Sequence, residues 1–275
     1  MADLVQSNVS FGVPPADGIR ARFNVNANPD TGLFEKNWTS QSHEIQVENL
    51  RGKEESVTLD TAGFQFYTRP SKYKGPFLDD EEVKREYYPD SEELLKQLTG
   101  ASKVVLFDHT IRRHEPGQSS SDPNKRQPVS LAHVDQTPAA SIARVHRHLP
   151  GEAPKLSKRR FQIMNLWRPI GVPALEWPLA LCDFRSVDHK NDLFPVTLVY
   201  PDSEGETFSV KYSPNYKWKY VRGMTPDEIV LIKCFDSIQD GSVAIFTPHA
   251  AFEDPTTPQG TPHRQSIEVR ALVFY

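Results

Sequence analysis

The feature that most limits what this chain can fold into is the shortness of its apolar runs. Val104–Phe107 and Val243–Phe246 are among the longest, and each gives way within a few positions to polar or turn residues. Runs that short cannot cross a bilayer, but they suit strands. With 23 prolines and 14 glycines punctuating 275 residues, the pattern predicts many short strands joined by turns. The expected fold class is mainly β with flanking helices, a sandwich or double-sheet jelly roll.

Along the chain, residues 1–40 are rich in Asn, Pro, Gly and Asp and predict an extended N-terminal arm on a core formed by 41–275. His43–Leu50 alternates apolar and polar residues, Arg51-Gly52 turns, and Ser56–Leu59 resumes an extended pattern, which predicts a hairpin. Asp79–Thr99 carries a helical stripe through Leu94, Leu95 and Leu98 and closes at Gly100, with Pro89 predicting a break between two helices. Lys103–His109 is a β-branched strand, and Arg112–Val129 is a polar loop. Just ahead of His133, that loop is placed to act as a lid. Thr137–Leu149 is helical and Arg160–Pro169 extended. Strands are expected at Thr197–Val199, Thr207–Tyr212, Lys217–Tyr220, Ser242–Phe246 and Ser266–Tyr275, with Asp227–Phe235 a short helix or strand. No internal repeat interrupts this order, and a single domain is expected over 1–275.

The charge balance narrows the partners. The formal net charge is −4 with a quarter of the residues charged, so nothing invites a nucleic-acid partner, which calls for a basic excess. Met1–Phe11 lacks the basic start and apolar core of a secretory signal. Cys182 and Cys234 are the only cysteines, which fits a reducing, cytoplasmic setting rather than a disulfide scaffold.

His133-Val-Asp135 sets two ligand-type side chains two residues apart. On an extended segment both project from one face, so they can reach one ion. A facial triad of two histidines and a carboxylate then needs one remote histidine and leaves open positions for substrate and oxygen. His249, in Phe246-Thr-Pro-His-Ala-Ala, is the candidate, far enough along for most of a jelly roll to intervene. The competing reading is a hydrogen-bonded His133–Asp135 pair at a strand end. His109, His114, His146, His148, His189 and His263 are expected to be exposed or bonded to backbone.

The C-terminal strand strengthens the metal reading. Alternation puts Arg264, Ser266, Glu268 and Arg270 on one face. An arginine fork grips a carboxylate through two parallel bonds, and a serine hydroxyl adds a donor. Surface salt bridging is the plainer alternative, but the order His-x-Asp, His, Arg-x-Ser seldom arises by accident.

In that order the chain resembles the Fe(II)/2-oxoglutarate oxygenase superfamily, and more closely the fungal hydroxylase/desaturase family (gibberellin-desaturase-like, related to the cephamycin methoxylation subunit). The likeness is carried by Phe77-Leu-Asp-Asp-Glu-Glu-Val, Tyr87-Tyr-Pro, Phe107-Asp-His-Thr-Ile-Arg and His133-Val-Asp-Gln-Thr-Pro-Ala-Ala. It continues through Arg160-Phe-Gln-Ile-Met-Asn-Leu-Trp-Arg-Pro, Pro178-Leu-Ala-Leu-Cys-Asp, Lys233-Cys-Phe-Asp-Ser, Pro248-His-Ala-Ala-Phe and Arg264-Gln-Ser-Ile-Glu-Val-Arg270. The resemblance implies a double-stranded β-helix (jelly roll, cupin-like), with Fe(II) on His133, Asp135 and His249. It also implies 2-oxoglutarate on Arg264 and Ser266, with Arg270 as a second clamp. The substrates it implies are O2 and a small secondary metabolite that is hydroxylated, desaturated or cyclised.

Asn165, Trp167 and Arg168 are second-tier substrate contacts. Alternation lets Asn165 and Trp167 share a face but sends Arg168 to the other. Two alternatives stay open: an iron oxygenase of the same fold that does not use 2-oxoglutarate, and a non-catalytic partner subunit of a biosynthetic complex.

Overall fold

The computed structural model describes residues 3–28, 30–118 and 126–275. In chain order its strands are β1 (Leu4–Val13), β2 (Ala21–Asn24), β3 (Thr39–Asn49), β4 (Phe64–Thr68), β5 (Lys103–Arg113), β6 (His133–Val134) and β7 (Phe161–Pro169). They continue with β8 (Leu179–Cys182), β9 (Leu193–Val199), β10 (Glu204–Val210), β11 (Trp218–Tyr220), β12 (Glu228–Asp236), β13 (His249–Ala251) and β14 (Gln265–Phe274). The α-helices are α1 (Asp80–Glu82), α2 (Tyr88–Thr99), α3 (Pro138–His148) and α4 (Ala153–Leu156).

The strands form two sheets. One has nine strands in the order β1-β3-β11-β8-β13-β6-β10-β9-β2, and the other five in the order β4-β12-β7-β14-β5. Sequence neighbours are mostly not sheet neighbours, because the chain crosses between the sheets. This is the jelly roll expected from the many short strands.

Inside and outside are set by the two-residue period of the central strands. On β7 and β14, Met164, Leu166, Ile267, Val269, Ala271 and Val273 turn outward and pack with Leu95 of α2. Leu95 has no exposed surface, a burial that stabilises the fold by roughly 1.5–3 kcal/mol. The helix starts and stops by local chemistry. Asp79 accepts hydrogen bonds from the backbone N–H groups of Glu81 and Glu82, and Gly100 closes α2 in the left-handed conformation at φ 72°. The break expected at Pro89 is instead a π-helical turn, Val83–Tyr87, and Pro89 sits in the first turn of α2. Pro89 has no N–H to donate back to the preceding turn, and the π turn directly before it takes up that missing bond.

Three other expectations need correction. The 1–40 segment supplies β1, fully paired with β3, and β2, paired in parallel with β9. Ser56–Leu59 is not a strand: a 3-10 turn covers Glu54–Ser56, and the antiparallel partner of β3 is β1. Ser242–Phe246 forms no ladder. Its Ala244 N–H bonds the Asp60 carbonyl at 2.7 Å, and Phe246 packs edge-on to Phe184, so the apolar run is buried as a loop. Asp227–Phe235 resolves as strand β12. Both cysteines are buried and unpaired. Among the described residues no helix is long and apolar enough to cross a membrane.

Candidate metal and cosubstrate site

β6 and β13 are neighbours in the larger sheet, and His133 stands directly opposite His249 in their antiparallel register. The two rings lie 4.4 Å apart between centroids. Asp135 follows β6 immediately, and its Oδ1 lies 3.4 Å from His133 Nε2 and 3.9 Å from His249 Nε2. Donors about 2.1 Å from a metal stand roughly 3.0–3.4 Å apart, so the first spacing already suits one ion and the second needs a closing of about half an ångström. Just past Asp135, Thr137 caps α3 by accepting from the Ala140 N–H at 3.2 Å, and its hydroxyl bonds Glu206. The His-Val-Asp-Gln-Thr-Pro sequence is therefore held at both ends, by a strand pair and a helix cap.

The imidazoles are set in one tautomer by the same local device. His133 Nδ1 lies 2.8 Å from the Leu131 carbonyl, and His249 Nδ1 lies 3.0 Å from the Thr247 carbonyl. A carbonyl only accepts, so Nδ1 carries the proton in each ring and Nε2 offers its lone pair to the group. Burial, followed by the neighbouring His133, pushes the His249 pKa down and favours that neutral form. Burial alone would raise the Asp135 carboxyl. The Arg270 guanidinium outweighs it and holds the group well below the usual carboxylate range. Two neutral imidazoles and one carboxylate suit a divalent ion with open positions.

The two oxygens of Asp135 do different work. Oδ1 faces the histidines, while Oδ2 accepts from Asn165 Nδ2 at 2.7 Å and Arg270 Nε at 3.2 Å. Asn165 and Arg270 are themselves register partners across β7 and β14. The five-stranded sheet thus orients the carboxylate presented by the nine-stranded one.

Two sequence expectations meet this geometry. Arg270 lines the cleft, but its other nitrogens bond Asp108 at 2.8 Å and Glu268 at 3.1 Å, which favours a carboxylate-orienting role over a second cosubstrate clamp. Asn165 is buried behind Asp135 and is not among the residues lining the cleft.

The triad opens on a cleft that is also lined by Arg112, Trp167, Leu179, Arg264 and Glu268. Arg264 is 2% exposed. Its Nη1 donates to the Trp177 carbonyl at 2.5 Å, its Nε has no partner, and its guanidinium lies 5.5 Å from the Trp167 ring. Among the described residues no carboxylate pairs with that guanidinium. Burial, and then the nearby Arg112, push its pKa down to about 9. A buried cation beside a second cation, with no anion of its own, is a seat for an anion.

Trp177 is part of that seat. It has φ 46°, the left-handed region that bulky residues seldom adopt. Ser266 is buried one step along the same strand face as Arg264 but does not line the cleft. Arg168 is turned to the helix-covered face, where it donates to Tyr87 Oη at 3.1 Å and to the Arg69 and Pro226 carbonyls. The expectation that it contacts substrate is therefore corrected.

Several residues escaped the sequence reading. Arg112 opens the loop as read from sequence, but lies within β5 opposite Ser266, and its Nη1 bonds the Gln127 carbonyl at 2.9 Å. Its alternation with Thr110 and Asp108 was the available signal. Val129, at the far end of that loop, reaches the cleft wall. Residues 119–125, the middle of the expected lid, lie outside the described residues. His109 and His114 are neither exposed nor backbone-bonded at their rings. His109 contacts Tyr88 and Asp80, and His114 contacts Glu176.

Comparison with known proteins bears on the chemistry. Residues 9–274 match a family described as an oxidoreductase/YMDC permease-like domain. The hydroxylase/desaturase efuI of Hormonema carpetanum is 35% identical over 252 residues, covering 84% of this chain and 83% of that protein. The Fe(II)/2-oxoglutarate-dependent dioxygenase nvfI of Aspergillus novofumigatus is 32% identical over 268 residues, covering 95% and 94%. A solved structure of the iron and alpha-ketoglutarate-dependent endoperoxidase NvfI superposes with a TM-score of 0.85 at 30% identity, covering 99% of this chain and 98% of that one.

Proposed function

This chain belongs to the fungal hydroxylase/desaturase family of Fe(II)/2-oxoglutarate-dependent oxygenases, and from that premise we propose that His133, Asp135 and His249 hold its iron and Arg264 its 2-oxoglutarate. It is an oxygenase of secondary metabolism, with Fe(II) as cofactor and 2-oxoglutarate and O2 as co-substrates. That membership sets aside the two alternatives left open by the sequence. We read residues 1–275 as one oxygenase domain, since the two ends of the chain supply β1 and β14, one to each sheet.

When bound, iron with 2-oxoglutarate and O2 supplies an oxidant able to remove hydrogen from a C–H bond, while the co-substrate becomes succinate and CO2. The chain's own residues bind, orient and shield. His133 and His249 offer Nε2, and Asp135 offers Oδ1. Asn165 and Arg270 keep Asp135 Oδ2 turned away. Arg264 neutralises the distal carboxylate, helped by the positive charge of Arg112, and Ser266 supports that strand. Trp167 underlies the Arg264 guanidinium and forms a wall of the cleft.

Leu179, Ala250, Ala251 and Val129 give the cleft an apolar side. An apolar wall beside a few fixed polar groups suits a small, largely hydrocarbon metabolite. Such a wall excludes water and fixes which hydrogen faces the metal group. That placement selects among hydroxylation, desaturation and ring closure.

The observation that carries the assignment is the pairing of an inward-facing His-Asp-His group with a buried arginine that, among the described residues, lacks a carboxylate. Anaerobic equilibrium dialysis with labelled 2-oxoglutarate tests it. Wild type is expected to retain the co-substrate only when Fe(II) is present. His249→Ala and Arg264→Ala are each expected to lose it. Retention by either variant at wild-type affinity removes that residue from its role.

A further inference from the structure

A second group of three potential ligands lies apart from the triad and is tied to the Arg264 backbone. β5 ends at Arg113 opposite Gln265, the first residue of β14, and the His114 N–H continues the pairing by donating to the Arg264 carbonyl at 2.8 Å. That register brings His114 and His263 to one end of the five-stranded sheet. Glu176 arrives between them from the connection joining β7 to β8.

Its two oxygens are divided in the manner of Asp135. Oε2 accepts the Arg264 backbone N–H at 2.9 Å, which fixes the carboxylate plane. Oε1 is left facing His114 Nδ1, in close contact, and His263 Nδ1 at 3.1 Å. The rings stand nearly perpendicular, at 88° with centroids 5.4 Å apart, and His114 also packs against Trp177 at 5.6 Å. All three ligand atoms lie within 4.8 Å of one another.

We propose that His114, Glu176 and His263 form a second metal site, for a divalent transition ion of the zinc type, distinct from the iron triad. Two imidazoles and one carboxylate make a donor set of net charge −1, matched to a dication that accepts nitrogen. Calcium and magnesium prefer all-oxygen shells and fit it poorly. Zinc-bound donors stand about 3.3 Å apart; the His263–Glu176 pair is already near that spacing, while His114 Nδ1 would give up its close contact with Oε1 and draw back to make room for the ion. The Glu176–Arg264 backbone bond supplies the outer contact that holds a ligating carboxylate in place. The His263 side chain is 54% exposed, which leaves the ion an entry path and a fourth position for water. Occupancy would tie the 176–177 connection, whose Trp177 carbonyl holds Arg264, to the ends of β5 and β14.

Turnover is a poor readout, because zinc also competes for an iron site and lowers activity by that route alone. Metal counting separates the two sites. Protein is loaded anaerobically with Fe(II) and 2-oxoglutarate, titrated with Zn²⁺, freed of unbound metal and analysed for both elements. Wild type is expected to keep one iron and one zinc per chain. His263→Ala and His114→Ala should keep the iron and lose the zinc, while His249→Ala keeps zinc. Zn²⁺ should also raise the melting temperature of His249→Ala but not that of the His249→Ala/His263→Ala double variant. Circular dichroism on each variant establishes that it is folded, and His263→Asn replaces any alanine variant that is not. Wild type that binds no zinc beyond its iron equivalent, or folded His263 variants that retain a full equivalent of zinc, would overturn the proposal.

Discussion

Arg270 donates through Nε to Asp135 Oδ2 at 3.2 Å, and this contact turns the carboxylate so that Oδ1 alone faces the two histidines. The arginine is held in turn by Asp108 and Glu268. Burial would lower its pKa, but Asp135 and these two acids raise it above the ordinary value, so it remains a cation in a dry setting. Arg270→Met should leave Asp135 buried with only Asn165 on Oδ2. Outer-shell partners of this kind are typically worth about 10–100-fold in metal affinity or activity. The expected result is that order of loss in Fe(II) affinity by anaerobic titration. The 2-oxoglutarate affinity of the fraction that retains iron should stay unchanged. A selective rise in the 2-oxoglutarate Michaelis constant with iron affinity intact would restore Arg270 to the clamp role.

Gly63 makes a second, steric prediction about His249. It has φ 89°, and a Cβ there would meet Thr247 Oγ1 at 2.3 Å and the Phe246 carbonyl oxygen at 2.6 Å. The Thr247 carbonyl fixes the His249 imidazole. Gly63→Ala should therefore destabilise the fold by about 1–3 kcal/mol and also weaken Fe(II) binding. Gly100→Ala is the control, since φ is 72° there but nothing lies within 4 Å. It should lower the melting temperature and leave iron affinity unchanged. Equal iron affinities in the two variants would break the link from Gly63 to His249.

The parts of this design that were legible from sequence are those written in local alternation. His133 and Asp135 two apart, and Arg264, Glu268 and Arg270 on one strand face, follow from a two-residue period. What Arg270 does on that face was not legible, because its partners come from β5, from the residue after β6 and from β14 itself. The sequence presents β1 as an arm for a similar reason. Its inward positions are Val5, Ser7, Val9 and Phe11, and the polar Ser7 interrupts the apolar signal. Ser7 tolerates burial because its hydroxyl bonds the Glu253 carbonyl at 2.7 Å, a partner far along the chain. Val243–Phe246 misled in the opposite sense, since burial of an apolar run does not require a ladder.

Acid stability should depend on a buried ionic cluster away from the site. Lys233 has no exposed side-chain surface and bonds Asp236 at 2.9 Å and Asp60 at 3.0 Å, while Arg160 reaches Asp236 at 2.9 Å. Burial would raise the Asp236 carboxyl, but Arg160, Lys233 and Gln162 outweigh it and lower its pKa. A carboxyl lowered in the folded state contributes stability that is complete above its unfolded value, about 3.9, and is lost as pH falls through the folded value. Urea midpoints should therefore drop below about pH 4. Asp236→Asn should be less stable at neutral pH, by roughly 3–5 kcal/mol for a broken buried pair, with a flatter acid limb. An unchanged acid limb in Asp236→Asn would assign the transition to other carboxylates.

The sharpest prediction concerns Arg264, because its guanidinium is buried and, among the described residues, has an unpartnered Nε and no carboxylate of its own. Truncation to alanine removes a charge-assisted contact to the distal carboxylate of 2-oxoglutarate. Such bonds are worth about 1.5–3 kcal/mol, or roughly a tenfold to hundredfold loss of apparent affinity. Arg264→Lys should recover part of this, since an ammonium supplies the charge but not the planar fork, and it cannot also reach the Trp177 carbonyl as Nη1 does. The loss should appear in the Michaelis constant for 2-oxoglutarate, with Fe(II) affinity intact and high co-substrate restoring turnover. The burial that pushes Arg264 down to about 9 adds a pH signature. Its charge, and with it 2-oxoglutarate affinity, should fall as pH rises through that value in the wild type and be missing from the profile of Arg264→Ala. Binding of the anion itself favours the charged form, so the fall should come at higher pH as 2-oxoglutarate concentration increases. An affinity profile that is the same in wild type and Arg264→Ala would mean that the co-substrate carboxylate sits elsewhere, with Arg112 the next cation along the cleft wall.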